Sequence, residues 1–367
     1  MDISVYTPES SARVFRFHIN QITGRDNNWT YYHDIEVFKT SNGRRIACFQ
    51  IPYPYTTDIE DQINAVYDTA DYILIIGSEL HAKTVEFIKK FDRKKITYFI
   101  CGYLHWRMLN SKINKFLDWF TTSVYFYKNV QPTKLFELNP NLVKPKMFDA
   151  LLGRKKPHRD QAYEFLQANN MLDIGVVTYI NDYRVKFSEK DSNQWRWQAD
   201  GIDDLGFQIA DKDFTVDIVK YHGYNMSISQ IIPIEIYNET AYSLVCETNF
   251  DNQFVFITEK TIKPILARRL FITLGNQYHL AALRRLGFQT FGDIIDESYD
   301  TIENPQERHA AALEQLKYLC TQDQAIVLDK IRPVLDFNFN LMYTNDWYNL
   351  FRSDFGDYFF PDSRLMN

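Results

Sequence analysis

Three short stretches of the chain carry side chains able to do chemistry. In the first, Glu247-Thr248-Asn249 follows the apolar run YSLVC, and Phe256-Ile-Thr-Glu-Lys260 comes shortly after. Glu247 is expected where a strand leaves the carboxyl edge of a sheet. Thr258-Glu259-Lys260 is expected to open the next helix. A carboxylate there accepts two hydrogen bonds and so fits a pair of ribose hydroxyls. A lysine beside it meets a diphosphate as a point charge. The second stretch, Gly153-Arg-Lys-Lys-Pro-His-Arg159, lies between a strand end and a helix start. Helix-start amides carry positive potential, and Arg154, Lys155, Lys156, Arg159 and, when charged, His158 add to it. That is a phosphate site in outline. The third is Asp211-Lys-Asp213. An Asp-x-Asp pair can hold a divalent metal against a sugar-nucleotide diphosphate, but no buried strand precedes this pair, and we read it as a chance match.

The elements that must position these groups alternate. Arg45–Gln50 and Ile96–Cys101 are predicted strands, as is Tyr72–Ile76, whose unbroken apolar run (YILII) suits a buried parallel strand. Between them, Thr57-Asp-Ile-Glu60 forms a capping box before a helix carrying Ile59, Ile63, Val66 and Tyr67, and a second helix covers Lys83–Phe91. Prolines and polar residues in LNPNLVKPK (138–146) interrupt the pattern. Beyond them come strands at Met147–Leu152, Gly175–Ile180, Tyr242–Cys246, Leu270–Leu274 and near Phe288–Phe291, with helices at His158–Asn170, about Thr261–Arg269 and His279–Leu286. Pro264 conflicts with a helix start at Thr258; a start at Thr261 or a kink would relieve it. Pro305 opens a further helix capped by Asn304, with Glu307 at its third position. The expected organisation is residues 1–140, 141–335 and a segment 336–367 packing back across the body. The fold class is α/β, with two Rossmann-like domains facing across a cleft.

Composition narrows the function classes. The chain has 367 residues, a net charge of −6, 45% hydrophobic and 24% charged residues. That is a soluble globular balance, and bulk electrostatics would not hold it on DNA or anionic lipid. No apolar run nears the ~20 residues of a membrane span, and no signal peptide is legible, so a cytoplasmic location is expected. Cys48, Cys101, Cys246 and Cys320 form no CxxC pair, which suits reduced thiols. Aromatics reach 16% with 24 Tyr and 28 Phe. Such faces stack on sugars and bases, though an AT-rich genome yields the same bias. Gly-x-Gly-x-x-Gly, Walker and Gly-x-Ser-x-Gly motifs are absent.

The stretch ETNFDNQFVFITEKTIKPILARRLFITLG (247–275) resembles the donor-binding signature of the α1,3-fucosyltransferases. KPKMFDALLGRKKPHRD and LRRLGFQTFGDIIDESYD also resemble phage-type proteins related to that family. The resemblance spans roughly the second half of the chain. It implies the two-domain GT-B fold, with a GDP-sugar held by the C-terminal domain. On it, Glu259 binds the ribose, Lys260 the diphosphate, and Phe256 lies near the base. Glu247 matches the family's acidic residue; Thr248 replaces its Asn, and Asn249 lies one place later. Arg154 or Arg159 takes the place of a phosphate-clamping arginine. The family's catalytic carboxylate beside a Pro has no match in CFQIPYP (48–54). Asp58, Glu60 and Glu79 are the candidates, and Glu79, following YILII, is the preferred base.

The resulting expectation is glycosyl transfer from a nucleotide-diphosphate sugar, with GDP favoured, to a carbohydrate or other hydroxyl acceptor. It needs no metal and no cofactor beyond the sugar nucleotide as co-substrate. The alternatives are transfer to modified DNA bases and a non-catalytic sugar-nucleotide-binding module.

Overall fold

The computed structural model describes residues 3–8, 29–51, 58–77, 82–100, 103–104, 112–115, 134–139, 143–154, 156–180, 207–209, 218–221, 224–227, 232–251 and 254–345. They fall into two compact units. One comprises residues 1–118, 252–256 and 346–367; the other comprises 119–251 and 257–345.

The first unit is built on strands β1 (Ile3–Tyr6), β2 (Thr30–Tyr32), β3 (Arg44–Gln50), β4 (Tyr72–Gly77), β5 (Ile96–Ile100) and β7 (Lys112–Lys115), in spatial order β2-β1-β3-β4-β5-β7. Every pairing is parallel. Helices α1 (Ile35–Lys39), α2 (Asp58–Val66) and α3 (Ala82–Lys90) lie between strands in the chain. Parallel strands are covered on both faces, so β4 carries no polar alternation; Ile73, Leu74, Ile75 and Ile76 are all buried. Ile59, Ile63 and Val66 of α2 are buried too, at the predicted helical spacing. A two-residue antiparallel ribbon joins β6 (Tyr103–Leu104) to β14 (Phe254–Val255).

The second unit carries strands β8 (Lys146–Arg154), β9 (Gly175–Ile180), β13 (Thr240–Cys246) and β15 (Phe271–Leu274) in the order β15-β13-β8-β9, again all parallel. A separate antiparallel sheet holds β10 (Phe207–Ile209), β11 (Ile218–Tyr221) and β12 (Tyr224–Ser227). The helices are α4 (Pro157–Ala168), α5 (Ile234–Glu239), α6 (Glu259–Leu266), α7 (His279–Arg285), α8 (Pro305–Cys320) and α9 (Gln324–Thr344). β13, in the interior of the sheet, is buried along its whole length. Gly175 opens β9 against the ring of Phe148, where an added Cβ would lie 2.6 Å from a ring carbon. Asn304 caps α8 through Gln306 N (2.9 Å) and Glu307 N (3.1 Å), and Pro305 occupies the first turn, as the sequence predicts.

The α/β class and its parallel sheets match the expectation, and both sheets wind in the doubly wound manner. In each, the first strand in the chain has the second on one side and the third on the other. The carboxyl ends of the first and third strands then flank a switch point, where open α/β sheets bind ligands. In the second unit these strands are β8 and β13. α4 follows β8 and α6 follows β13, so topology brings both helix N-termini to that edge.

Two predicted elements need correction. Phe288–Phe291 is not a strand. Phe288 and Phe291 are buried, but the backbone between them pairs with a side chain: Gln289 N donates to Asn338 Oδ1 (2.9 Å) and Asn338 Nδ2 donates to Gln289 O (2.8 Å). The helix expected over Thr261–Arg269 instead starts at Glu259 and ends at Leu266, with Thr258 as its cap. Pro264 stays inside it, since only one backbone hydrogen bond is forfeited so near a terminus. Its own carbonyl is used by Arg269 N at 2.9 Å.

A buried ion pair ties the sheet together toward its amino edge. Asp149 of β8 accepts from Arg269 Nη2 (2.8 Å), Ser243 Oγ (2.8 Å) and Thr240 Oγ1 (3.3 Å). Arg269 also donates to the carbonyls of Tyr237, Thr240 and Tyr242 and to the hydroxyls of Thr240 and Ser243, and it lies over the Tyr237 ring at 4.3 Å. Burial pushes the Asp149 carboxyl up, with Arg269 and the hydroxyls opposing.

Candidate functional site

Glu247 is the first residue beyond β13 and is fully buried. Uncharged groups meet its carboxylate. Oε1 accepts from Thr258 N at 3.1 Å and from Thr261 Oγ1 at 2.6 Å; Oε2 accepts from Thr258 Oγ1 at 2.6 Å. The Thr258 hydroxyl oxygen accepts in turn from Lys260 N at 3.2 Å, which is the cap bond of α6. The acid therefore sits at the positive end of the α6 dipole and reinforces its cap.

Lys260 leaves the first turn of α6 with its side chain 30% exposed. Its Nζ lies 2.8 Å from Glu259 Oε1 and 3.4 Å from the hydroxyls of Thr248 and Thr258. Burial raises the Glu259 carboxyl, but Lys260 and Lys263 outweigh it and hold the group below its ordinary range. Lys263, half-buried one turn on, is pulled down to about 8 by burial, with Glu259 opposing.

The basic loop arrives from the other side of the switch point. Lys156 is the N-cap residue of α4, which has no side-chain cap; its Nζ donates to Thr248 O at 3.1 Å. The two constellations read separately in the sequence thus meet at Thr248, one lysine on its carbonyl and one on its hydroxyl. His158 Nε2 donates to Glu247 O at 2.9 Å, and the ring stacks on Phe250 at 4.2 Å. The expectation of a cation at His158 is corrected. Burial, with Arg159, His309 and Lys156 adding, lowers its pKa to about 2, so the imidazole is neutral. Arg159 is buried beside it in the sequence, at 7% exposure.

Further residues complete the edge. Arg308 donates through Nη2 to Phe250 O (2.6 Å) and through Nε to Gly275 O (3.0 Å), and His309 Nε2 meets the same Gly275 carbonyl at 3.2 Å. Burial lowers His309 to about 4. Behind Glu247, His279 Nε2 lies 3.2 Å from Thr261 Oγ1. Burial holds this imidazole below its usual range, Glu247 and Asp300 opposing. Thr261, His279, Arg308 and His309 were missed by sequence reasoning. The one local signal was a second threonine three places after the cap in Thr258-Glu-Lys-Thr261.

Of the predicted residues, Glu247, Thr258, Glu259, Lys260 and His158 are joined by these bonds, and Asn249 is buried in the same turn. Phe256 is buried, but in the segment that belongs with the first unit. Arg154 closes β8, and its side chain lies outside the described residues. Glu79, Lys155, Asp211 and Asp213 also lie outside them. Among the described residues no group of three or more His, Cys, Asp and Glu side chains is arranged to hold a metal. Cys48, Cys246 and Cys320 are free thiols. No helix among the described residues is long and apolar enough to cross a membrane.

No family model matches the chain, and no curated protein matches it in sequence. Among solved structures, it is similar to an α1,3-fucosyltransferase crystallised with GDP: 11% identity, 95% of this chain and 92% of that one covered, TM-score 0.40. A likeness of that depth leaves function to be read from the residues themselves.

Proposed function

We propose that the chain is a glycosyltransferase that moves a sugar from a nucleotide-diphosphate donor, GDP-linked by preference, to a hydroxyl acceptor. One observation carries the reading: Lys156 and Lys260 reach Thr248 from the starts of two helices at the switch point of a doubly wound sheet. Two ammonium groups and two sets of helix-start amides suit a diphosphate. In this reading the diphosphate replaces Glu259 as the partner of Lys260, and the released Glu259 takes the ribose hydroxyls. Arg154 or Arg159 supplies a further cation. Glu247, fully used by its own donors, holds the helix start. The acceptor oxygen attacks the anomeric carbon, the nucleoside diphosphate leaves with the bonding pair, and a base takes the acceptor proton; Glu79 is the base expected from the sequence. The lysines stabilise charge growing on the leaving group, the part a divalent ion plays elsewhere.

The test is a thermal-shift panel of GDP-, UDP-, dTDP- and CMP-sugars. A ligand at a hundred times its Kd adds about 2.7 kcal/mol of stability. GDP-sugars should give the largest shift. A panel with no shift would remove the donor reading. Binding without turnover on any hydroxyl acceptor would leave a binding module.

A further inference from the structure

We infer that His279 is a positioning residue for the donor site: its Nε2–H orients the Thr261 hydroxyl toward Glu247, and Glu247 fixes the helix turn that carries Lys260. The functional consequence rests on the donor reading above; the relay itself does not.

A threonine hydroxyl has one proton and can turn it toward either neighbour. The 2.6 Å contact from Thr261 to Glu247 is the length of a charge-assisted O–H···O⁻ bond, so the proton lies there. The 3.2 Å contact with His279 must then run from the imidazole N–H to the hydroxyl oxygen. The other ring nitrogen agrees. Nδ1 is buried without a partner among the described residues, so the proton sits on Nε2, where it makes a bond. With the other tautomer, a bare Nε2 would compete with Glu247 for the Thr261 proton.

His279 is also held from behind. Asp300 accepts from Leu280 N (2.9 Å) and Ala281 N (3.0 Å), fixing the start of α7. The preceding Tyr278 adopts a left-handed backbone at φ 65°, uncommon for a bulky residue, and its amide donates to Asp300 O at 2.8 Å. Gly275 closes the Nδ1 side, since a Cβ there would come within 3.2 Å of Nδ1. The ring has one seat, and that seat points Nε2–H at Thr261.

The experiment is a double-mutant cycle on the full chain: His279→Leu, Thr261→Val and both together, with His279→Gln and Thr261→Ser as conservative variants. GDP affinity is read by calorimetry, and amide hydrogen exchange is read over residues 257–266. Each single change should weaken GDP on the order of tenfold. The pair should be no worse than either alone, because both cut one chain of bonds. Exchange over 257–266 should rise in both, and His279→Gln, which keeps an N–H, and Thr261→Ser should recover most of the affinity. Additive losses, or wild-type exchange in a folded Thr261→Val protein, would overturn the relay. Thr261→Val is nearly isosteric and serves if His279→Leu does not fold. If the wild-type chain binds no GDP, the donor reading fails while exchange still decides the relay.

Discussion

Asp149 and Glu247 are both buried acids of one parallel sheet, on or just beyond neighbouring strands, and they are satisfied in opposite ways. Asp149 meets a guanidinium that has spent its donors on hydroxyls and carbonyls around it. Nothing there is left for a ligand; Arg269 is only 4% exposed. Glu247 meets two hydroxyls and an amide at a helix start. Because the helix dipole and neutral donors balance its charge, Lys156 and Lys260 are not consumed by it. The contrast separates a clasp from a platform: a paired cation at one edge closes the fold, and at the other neutral donors satisfy the acid while Lys260 pairs with Glu259 and Lys156 with the Thr248 carbonyl.

The largest expected effect tests the clasp. Arg269→Met leaves a buried carboxylate unpaired and should cost about 3–5 kcal/mol, read as a fall in the urea midpoint. A loss below 1 kcal/mol would show that Asp149 is neutral or reaches water. Next is acid sensitivity at the platform. His158 and His309 stay neutral when folded, with pKa values lowered to about 2 and about 4. The unfolded chain takes up these protons below its ordinary histidine pKa of ~6.5. Stability is therefore complete above that pH and should fall as pH drops toward 4, by up to about 1.4 kcal/mol per pH unit per histidine. The slope of the urea midpoint between pH 7 and 5 measures this, and His158→Gln should flatten it.

Lys260→Ala should remove a charge-assisted contact of about 1.5–3 kcal/mol to the diphosphate, lowering kcat as well as raising the donor KM. Glu259 is buried and Lys260 helps to hold it ionised, so the thermal midpoint should also fall, though by less than in Arg269→Met because Lys263 still faces the carboxylate. Wild-type kinetics in this variant would place the donor elsewhere. Glu259→Ala should mainly raise the donor KM, since ribose contacts persist from ground to transition state. The smallest effect is expected from EDTA: transfer should continue almost unchanged. Abolition by EDTA and rescue by manganese would shift attention to Asp211 and Asp213.

Local signals made much of the molecule legible. The unbroken apolar run at Tyr72–Ile76, Asn304 before Pro305, and Glu247 directly after YSLVC each declare an element or its edge. Contacts distant in sequence were not legible. That Lys156 and Lys260 share Thr248 depends on the order of four strands, which no local pattern states. The neutrality of His158 comes from burial against Phe250 and His309, and its basic neighbours in the sequence pointed the other way. The helix α9 was not anticipated, because Pro333 falls in its middle. Phe288–Phe291 has a strand's composition, but its backbone groups are taken by the Leu283 carbonyl, Asn338 and Glu297 in place of a neighbouring strand.

That asparagine has a consequence for strand pairing between chains. A short aromatic stretch such as Phe288-Gln-Thr-Phe291, with its backbone groups free, is the kind of segment on which a second chain can add a strand. The side-chain amide of Asn338 occupies both the donor and the acceptor of Gln289, leaving that residue no backbone group with which to start a cross-chain ladder. Asn338 thus acts as a gatekeeper from a distance, closing the exposed residue of this aromatic loop to strand addition from a helix some fifty residues on.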